Sequence, residues 1–220
     1  MGCAGASTLL SKEGIGMKEK LTSRDLQARQ TREKLLRTSM ELIAREGYRN
    51  VTIQRICGEC GVSVGTFYQY FSAKRDIIVL MDREHNEYLG SACGMDPGKS
   101  ARELYLDFVK KYMERIEDSG LVLSKSLMLG QLEDNVGDDE AGVQLQREFL
   151  AKVLSRGRAT GEFSPNAMTD EEFFQTFSVT INGILVTWFL NPDSIDLKPY
   201  GYKHLERLLQ LLEPPKGENP

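Results

Sequence analysis

Apolar residues along the chain recur at helical spacing, in blocks separated by glycines, prolines and acidic stretches. The first block predicts an amphipathic helix from about Asp25 to Glu46, with Leu36, Met40 and Ile43 in one stripe widened by Leu35 and Leu42. Arg29, Arg32, Lys34 and Arg37 fall on its polar side, and Gly47 ends it as a left-handed cap. Residues 51–74 then predict a short helix N-capped by Thr52, with Ile53, Ile56, Cys57 and Cys60 facing inward. A tight turn at Gly61 leads into a second short helix capped by Ser63, and Val62, Phe67 and Phe71 complete a small core. Further helices are expected over Lys74–Leu89, Ala101–Asp118, Leu121–Leu132 and Val143–Leu154, with breaks at 91–100, 133–142 and 156–166. Thr169 caps a strongly apolar helix that carries Phe173, Phe174, Phe177, Ile181, Ile184, Leu185, Trp188 and Phe189 and ends before Pro192. A last helix is expected from about Lys203 to Leu212, with Leu205, Leu208, Leu209 and Leu212 on one side. The predicted fold class is all-α.

Two short helices cross closely only where a small residue sits at the contact and a glycine allows the turn. Cys57 supplies the first and Gly61 the second, which is helix-turn-helix spacing. The helix after the turn carries Thr66, Tyr68, Gln69 and Tyr70, with Lys74 just past its end. Small polar groups and phenols on a short helix beside a lysine suit the groove and phosphates of DNA. Tyr68, Tyr70 and Lys74 can hold phosphates; Gln69 can pair bidentately with adenine, and Thr66 or Val64 can touch a thymine methyl. Gly65 would let the backbone come close. The plainer alternative for Tyr68 and Tyr70 is that of half-buried aromatics.

Charge sharpens the division. Residues 1–80 carry 13 Lys and Arg against 8 Asp and Glu, whereas residues 81–220 carry 15 against 24, within an overall charge of −4. A basic front third on an acidic body fits a nucleic-acid module joined to a domain that stays off the phosphates. Residues 1–24 are expected to form a disordered tail, in which Lys18, Lys20 and Arg24 are either a solvated leader or a basic arm for a minor groove. Met17 is an alternative start, and residues 214–220 read as a C-terminal tail. The apolar fraction of 40% supports a buried core, and no segment approaches about 18 uninterrupted apolar residues. The N-terminus shows no signal-peptide pattern, and Ala6 stands where a myristoylation motif needs Ser or Thr, so the cytoplasm is the expected location and no membrane partner is expected.

From Thr31 to Leu80 the chain resembles the N-terminal DNA-binding domain of the TetR (tetracycline repressor) family of bacterial regulators. The resemblance rests on REKLLRTSMELIAREGYRNVTIQRI followed by GVSVGTFYQYFSAKRDII. It implies a three-helix DNA-binding domain over residues 25–73 and a larger helical effector-binding and dimerisation domain over 74–213. It makes the second short helix the recognition helix and implies DNA contacts from Thr52, Gln54, Ser63, Val64, Gly65, Thr66, Tyr68, Gln69, Tyr70 and Lys74. By the same resemblance the chain is a homodimeric repressor, released from a near-palindromic DNA operator by a small-molecule effector. The C-terminal helices would pair across a two-fold axis, and Ile184, Trp188, Leu205, Leu208 and Leu212 are the expected interface. Tyr105, Phe108, Met113, Met128, Phe173 and Phe177 are possible effector contacts, each equally consistent with plain core, and His204 reads as an interface or surface histidine. A ligand-independent architectural DNA-binding protein is the alternative.

The remaining chemistry is sparse. Cys57-Gly-Glu-Cys60 invites a thiol or metal reading, but a zinc site needs about four ligands, and the chain has two histidines and no second CxxC. Small buried filling suits both cysteines better. The acidic stretch 133–142 reads as a solvated loop rather than a metal site. With no phosphate-binding loop and no serine elbow, no enzymatic role, cofactor or metal is expected.

Overall fold

The computed structural model describes residues 22–134 and 140–214, and within them every regular element is helical. The head consists of α1 (Ser23–Glu46), α2 (Ile53–Cys60) and α3 (Val64–Tyr70), with a single 3₁₀ turn, Tyr48–Asn50, between α1 and α2. The body consists of α4 (Arg75–Ala92), α5 (Ala101–Ser119), α6 (Leu121–Glu133), α7 (Glu140–Thr160), α8 (Asp170–Leu190) and α9 (Leu197–Leu208), extended by a 3₁₀ turn at Leu209–Leu211.

Most helix starts follow from local chemistry. Thr22, Ser100 and Thr169 each accept from the backbone N–H three residues on, and Asp25, Glu103 and Glu172 return the bond to the cap. Thr52 and Ser63 cap α2 and α3 in the same way, without the returning carboxylate. The Thr22 cap starts α1 earlier than the sequence implies, so Arg24 lies in its first turn rather than in a tail. Lys18, Lys20 and most of both tails lie outside the described residues, as does the middle of the acidic stretch.

Two expected boundaries move. The expected break at 156–166 begins with helix instead, since α7 runs on to Thr160 before Gly161 turns it at φ 76°. A Cβ on Gly157 would lie 2.0 Å from the Phe163 ring, so the glycine serves a close approach inside a helix and does not break it. The last helix begins at Leu197, six residues before its expected start, because Pro199 falls in its first turn, where a missing N–H costs nothing.

Two cores result. Leu35, Leu42, Ile43, Tyr48, Val51, Ile56, Cys57, Cys60, Phe67 and Phe71 fill the head, together with Ile77, Ile78 and Met81 of α4. Leu123 and Leu127 of α6 pack onto this core from below. The first half of α4 is therefore part of the head, and the boundary expected at residue 74 runs through a packed core. The second core joins α5, α7, α8 and α9 around Tyr105, Phe108, Phe173 and Phe177.

By length and composition α8 could cross a membrane, with 21 residues and a mean hydropathy of 1.4. Gln175, Thr176, Ser178, Thr180 and Asn182 interrupt its apolar surface. Its Phe173, Phe174, Phe177, Ile181, Ile184 and Trp188 are buried in the body core.

Candidate nucleic-acid interface

The surface offered by the head is set by the turn between α2 and α3. Gly61 adopts φ 66° and ψ 34°, a left-handed conformation that side-chain-bearing residues avoid, and its N–H closes on the carbonyls of Cys57 and Gly58. Phe67 then faces inward with no exposure and stacks obliquely on Phe71, ring centroids 5.2 Å apart. With Phe67 fixed, helical geometry sends its neighbours out: Tyr68 is 55% exposed and Gln69 is exposed beside it. Gln54 and Thr52 are exposed on α2, where the Thr52 hydroxyl caps the helix. The Ser63 hydroxyl accepts from Thr66 N–H at 3.0 Å and lies 2.9 Å from the Thr66 hydroxyl. Val64 and Tyr70 are half-buried against the head core, so the half-buried reading fits Tyr70 and not Tyr68.

Gly65 is informative. It is exposed, its φ lies outside the left-handed range, and a Cβ there would meet only the Ser63 hydroxyl, at 3.6 Å. Nothing inside the protein requires glycine at this position. The backbone here is open to close approach from outside.

Lys74 sits differently from a side chain waiting for phosphate. Its ammonium donates to the carbonyls of Tyr48 (2.8 Å) and Val51 (3.0 Å) and lies 3.9 Å from the centroid of the Tyr48 ring. Burial pulls its pKa down, opposed by the carboxylates of Asp134 and Glu133. Two of its three N–H donors are thus used within the head.

The sequence marks Tyr48 only as the start of the link after α1. Its side chain is 4% exposed, its phenol donates to Asp134, and its N–H donates to the Ser126 hydroxyl at 3.0 Å. Burial, reinforced by the Asp134 carboxylate, raises the pKa of the phenol. Arg49 pairs with Glu133 in the same place. The link between α1 and α2 is therefore tied to the end of α6. These partners lie 78 to 86 residues apart, and no local pattern announces them. Lys34 was also placed simply on a polar face, whereas its ammonium donates to the Cys60 carbonyl at the end of α2, a stabilising position for a cation.

Cys57 and Cys60 are free and buried, and burial raises the Cys57 thiol pKa, consistent with packing at the helix crossing. No group of three or more potential metal ligands occurs among the described residues.

In the body, a cavity of 140 Å³ lies between α4, α5, α6, α7 and α8. Of the residues expected to contact an effector, Met128 and Phe177 line it. Tyr105, Phe108, Met113 and Phe173 do not; they are at most 1% exposed in the packed core, and the Tyr105 hydroxyl donates to the Leu205 carbonyl at 2.9 Å. The polar lining that sequence reasoning missed includes Asp82, His85, Asn86 and Gln146. A larger hollow of 390 Å³ lies by the α4–α5 loop, around Cys93, Lys99, Asp107 and Lys111. The smaller cavity has the better claim to function, because two helices that wall it, α4 and α6, also pack against the head core.

The expected dimer residues are used up within one chain. Ile184, Trp188, Leu205, Leu208 and Leu212 are all buried, at 8% exposure or less, so they have almost no surface to offer a partner. The face of α8 that turns outward instead presents Val179 (72% exposed), Val186 (44%) and Leu190 (73%). His204 is half-exposed, with its ring 4.5 Å from that of Tyr200.

Comparison with known proteins agrees with this geometry. The family model for bacterial regulatory proteins of the tetR family matches residues 35–81, which end at Met81, the last α4 residue in the head core. The uncharacterized HTH-type transcriptional regulator YerO of Bacillus subtilis (strain 168) is 40% identical over 48 residues, 22% of this chain and 17% of that protein. The HTH-type transcriptional regulator UidR of Escherichia coli (strain K12) is 31% identical over 152 residues, 65% of this chain and 74% of UidR. Among solved structures, the transcriptional regulator FadR from Bacillus subtilis, in complex with stearoyl-CoA, superposes with a TM-score of 0.63 at 21% identity, covering 82% of this chain and 99% of that one. That last likeness is one of fold.

Proposed function

Since the chain belongs to the tetR family of bacterial regulatory proteins, we propose that this transcriptional regulator is a homodimeric, cytoplasmic repressor that a small molecule releases from a near-palindromic operator. The observation that carries the DNA-binding part is the outward face of α3. Tyr68 and Gln69 project from a helix whose other side is locked by Phe67, next to a Gly65 that nothing internal requires. On this reading Thr66, Gln69 and Gln54 meet base edges, and Tyr68 with the Thr52 and Ser63 hydroxyls meets phosphates. Lys74 offers the one N–H that Tyr48 and Val51 leave over.

A single head gives a small footprint, and a two-fold pair doubles it over half-sites about one helical turn apart or a multiple of that. The outer stripe Val179, Gly183, Val186 and Leu190 is the proposed interface, at positions i, i+4, i+7 and i+11 of α8. Three of these side chains are exposed and apolar, and Gly183 leaves room for a partner helix to approach.

The ligand-responsive part rests on shared walls. α4 contributes Ile77, Ile78 and Met81 to the head core and, within the next two turns, Asp82, His85 and Asn86 to the cavity. Leu127 of α6 touches both. A ligand that binds the two head arrangements unequally shifts their balance by its difference in affinity. The B. subtilis FadR structure, similar in fold, holds stearoyl-CoA, which supports the presence of an effector here.

Selection of bound sites from random duplexes tests the reading. The expected result is a near-palindromic motif protected by two chains and a promoter that it silences. Recovery of no preferred sequence, or protection of a single half-site by one chain, overturns it.

A further inference from the structure

The chemistry of the cavity narrows the effector, on the reading above that the chain is ligand-responsive. Its volume, 140 Å³, is close to that of an engineered protein cavity of about 150 Å³ that accommodates benzene. One ring fits within it. Part of the wall is aromatic: Tyr112, Phe174 and Phe177 line it, and the Tyr112 and Phe177 rings meet edge to face at 5.9 Å.

One end of the cavity is polar, with two carboxamides beside the Asp82 carboxylate. Asn86 and Gln146 are each 5% exposed, two of only four buried polar side chains among the described residues, and both line the cavity. Gln146 Nε2 donates to Asn86 Oδ1 at 2.5 Å, and Asn86 Nδ2 donates to Asp82 at 3.3 Å. A carboxamide carries two donors and an acceptor with two lone pairs, so the Gln146 carbonyl and its second N–H keep capacity after this bond. No polar atom of Asn86 or Gln146 is buried without a partner, so a ligand would use their remaining capacity rather than relieve a desolvation cost.

Charge has no place there. No lysine or arginine lines the cavity itself, and the Arg115 guanidinium that acts on His85 is not part of its wall, so a carboxylate or phosphate would lack a counter-ion in direct contact. The lining carboxylate, Asp82, already accepts from Asn86 and has a further partner, which leaves a cation little to gain. Burial, with the Arg115 guanidinium nearby, holds the His85 imidazole down to about 4, so this side chain is neutral near pH 7, with one donor and one acceptor.

We propose that the effector is an uncharged molecule of about single-ring size, carrying a hydroxyl or carbonyl that hydrogen-bonds to the Asn86–Gln146 pair, and that it is not an acyl-CoA or another anion. The test uses the full chain and calorimetric titration with benzyl alcohol, benzamide, benzoate, benzylammonium and stearoyl-CoA, followed by operator release. Benzyl alcohol or benzamide should bind at least tenfold more tightly than benzoate or benzylammonium. Gln146→Leu should lower that affinity about fivefold or more. Ser178→Leu, which narrows the cavity from a half-exposed position, should weaken every neutral probe. Tighter binding and operator release by benzoate, benzylammonium or stearoyl-CoA overturns the inference and leaves the ligand-responsive reading standing. Should these probes fail, a broad library decides: an uncharged single-ring hit supports the inference, a charged or larger hit overturns it, and no hit at all overturns ligand responsiveness itself.

Discussion

Lys74→Met separates what the lysine does for the fold from what it does for DNA. Methionine keeps most of the apolar stem and removes the ammonium, so the Tyr48 and Val51 carbonyls lose their donor. Hydrogen bonds to a charged group contribute about 1.5–3 kcal/mol, and a cation over a phenol adds about 0.5–1 kcal/mol. Desolvation of the ammonium, visible in its lowered pKa, offsets part of this, which leaves a net loss of about 1–3 kcal/mol. For a chain of this size each kcal/mol moves Tm by about 2–4 °C, so thermal unfolding should shift down by several degrees. Operator affinity is then read well below the new Tm, as a function of salt. If the remaining N–H reaches phosphate in both heads, the slope of log K against log salt should flatten by about 2. An unchanged Tm would refute the internal role of Lys74. An unchanged salt slope would refute the phosphate role and leave the fold argument intact.

Three further outcomes follow from the geometry. Gln69→Ala should relax preference at one base pair per half-site by about 1–3 kcal/mol, and equal weakening on all sequences in a binding-site selection would remove its base-reading role. Tyr48→Phe deletes the phenol bond to Asp134 and should lower the urea midpoint by about 1–2 kcal/mol of stability at neutral pH. Because the fold raises the Tyr48 pKa, this contribution is complete below the ordinary phenol pKa of about 10 and is lost as pH rises above it. The gap between wild type and Tyr48→Phe should therefore shrink above about pH 10, and a gap that widens there contradicts the assignment. Val186→Glu places a charge in the proposed α8 interface and should leave monomers by light scattering, with operator affinity lost; a dimer that persists means that another face pairs.

The head was largely legible in the sequence because its decisive signals are local. Thr52 and Ser63 cap helices three residues on, Gly61 turns left-handed, and Phe67 fixes which of its neighbours face out. Where the sequence misled, tertiary packing or position within a helix had overridden the local pattern. Gly157 and Pro199 look like breaks until Phe163 is seen packed on the first and the second is placed in a first helical turn. The strongly apolar face of α8 reads as a pairing surface, but α5 and α9 consume it, leaving Val179, Val186 and Leu190. Lys74 shows the same limit. A lysine after a recognition helix suggests phosphate, and only the fold brings the Tyr48 and Val51 carbonyls to its ammonium.

Those distant contacts also bear on how a ligand would move the head. Repositioning α4 within the head means disturbing Ile77, Ile78 and Met81, all at most 4% exposed, and such buried side chains contribute about 1.5–3 kcal/mol each. α6 is held to the head by half-buried Leu123 and Leu127, by the close approach of Gly130 to Ile78, by the two Tyr48 hydrogen bonds and by the exposed Arg49–Glu133 pair. An exposed ion pair contributes at most about 1 kcal/mol, so the two Tyr48 bonds hold most of the polar coupling. Allosteric couplings commonly amount to about 1–3 kcal/mol, which is the scale of those two bonds and well below that of opening the head core. Leu127, in contact with both cavity and head, and the two Tyr48 bonds make α6 a second path for such coupling beside α4.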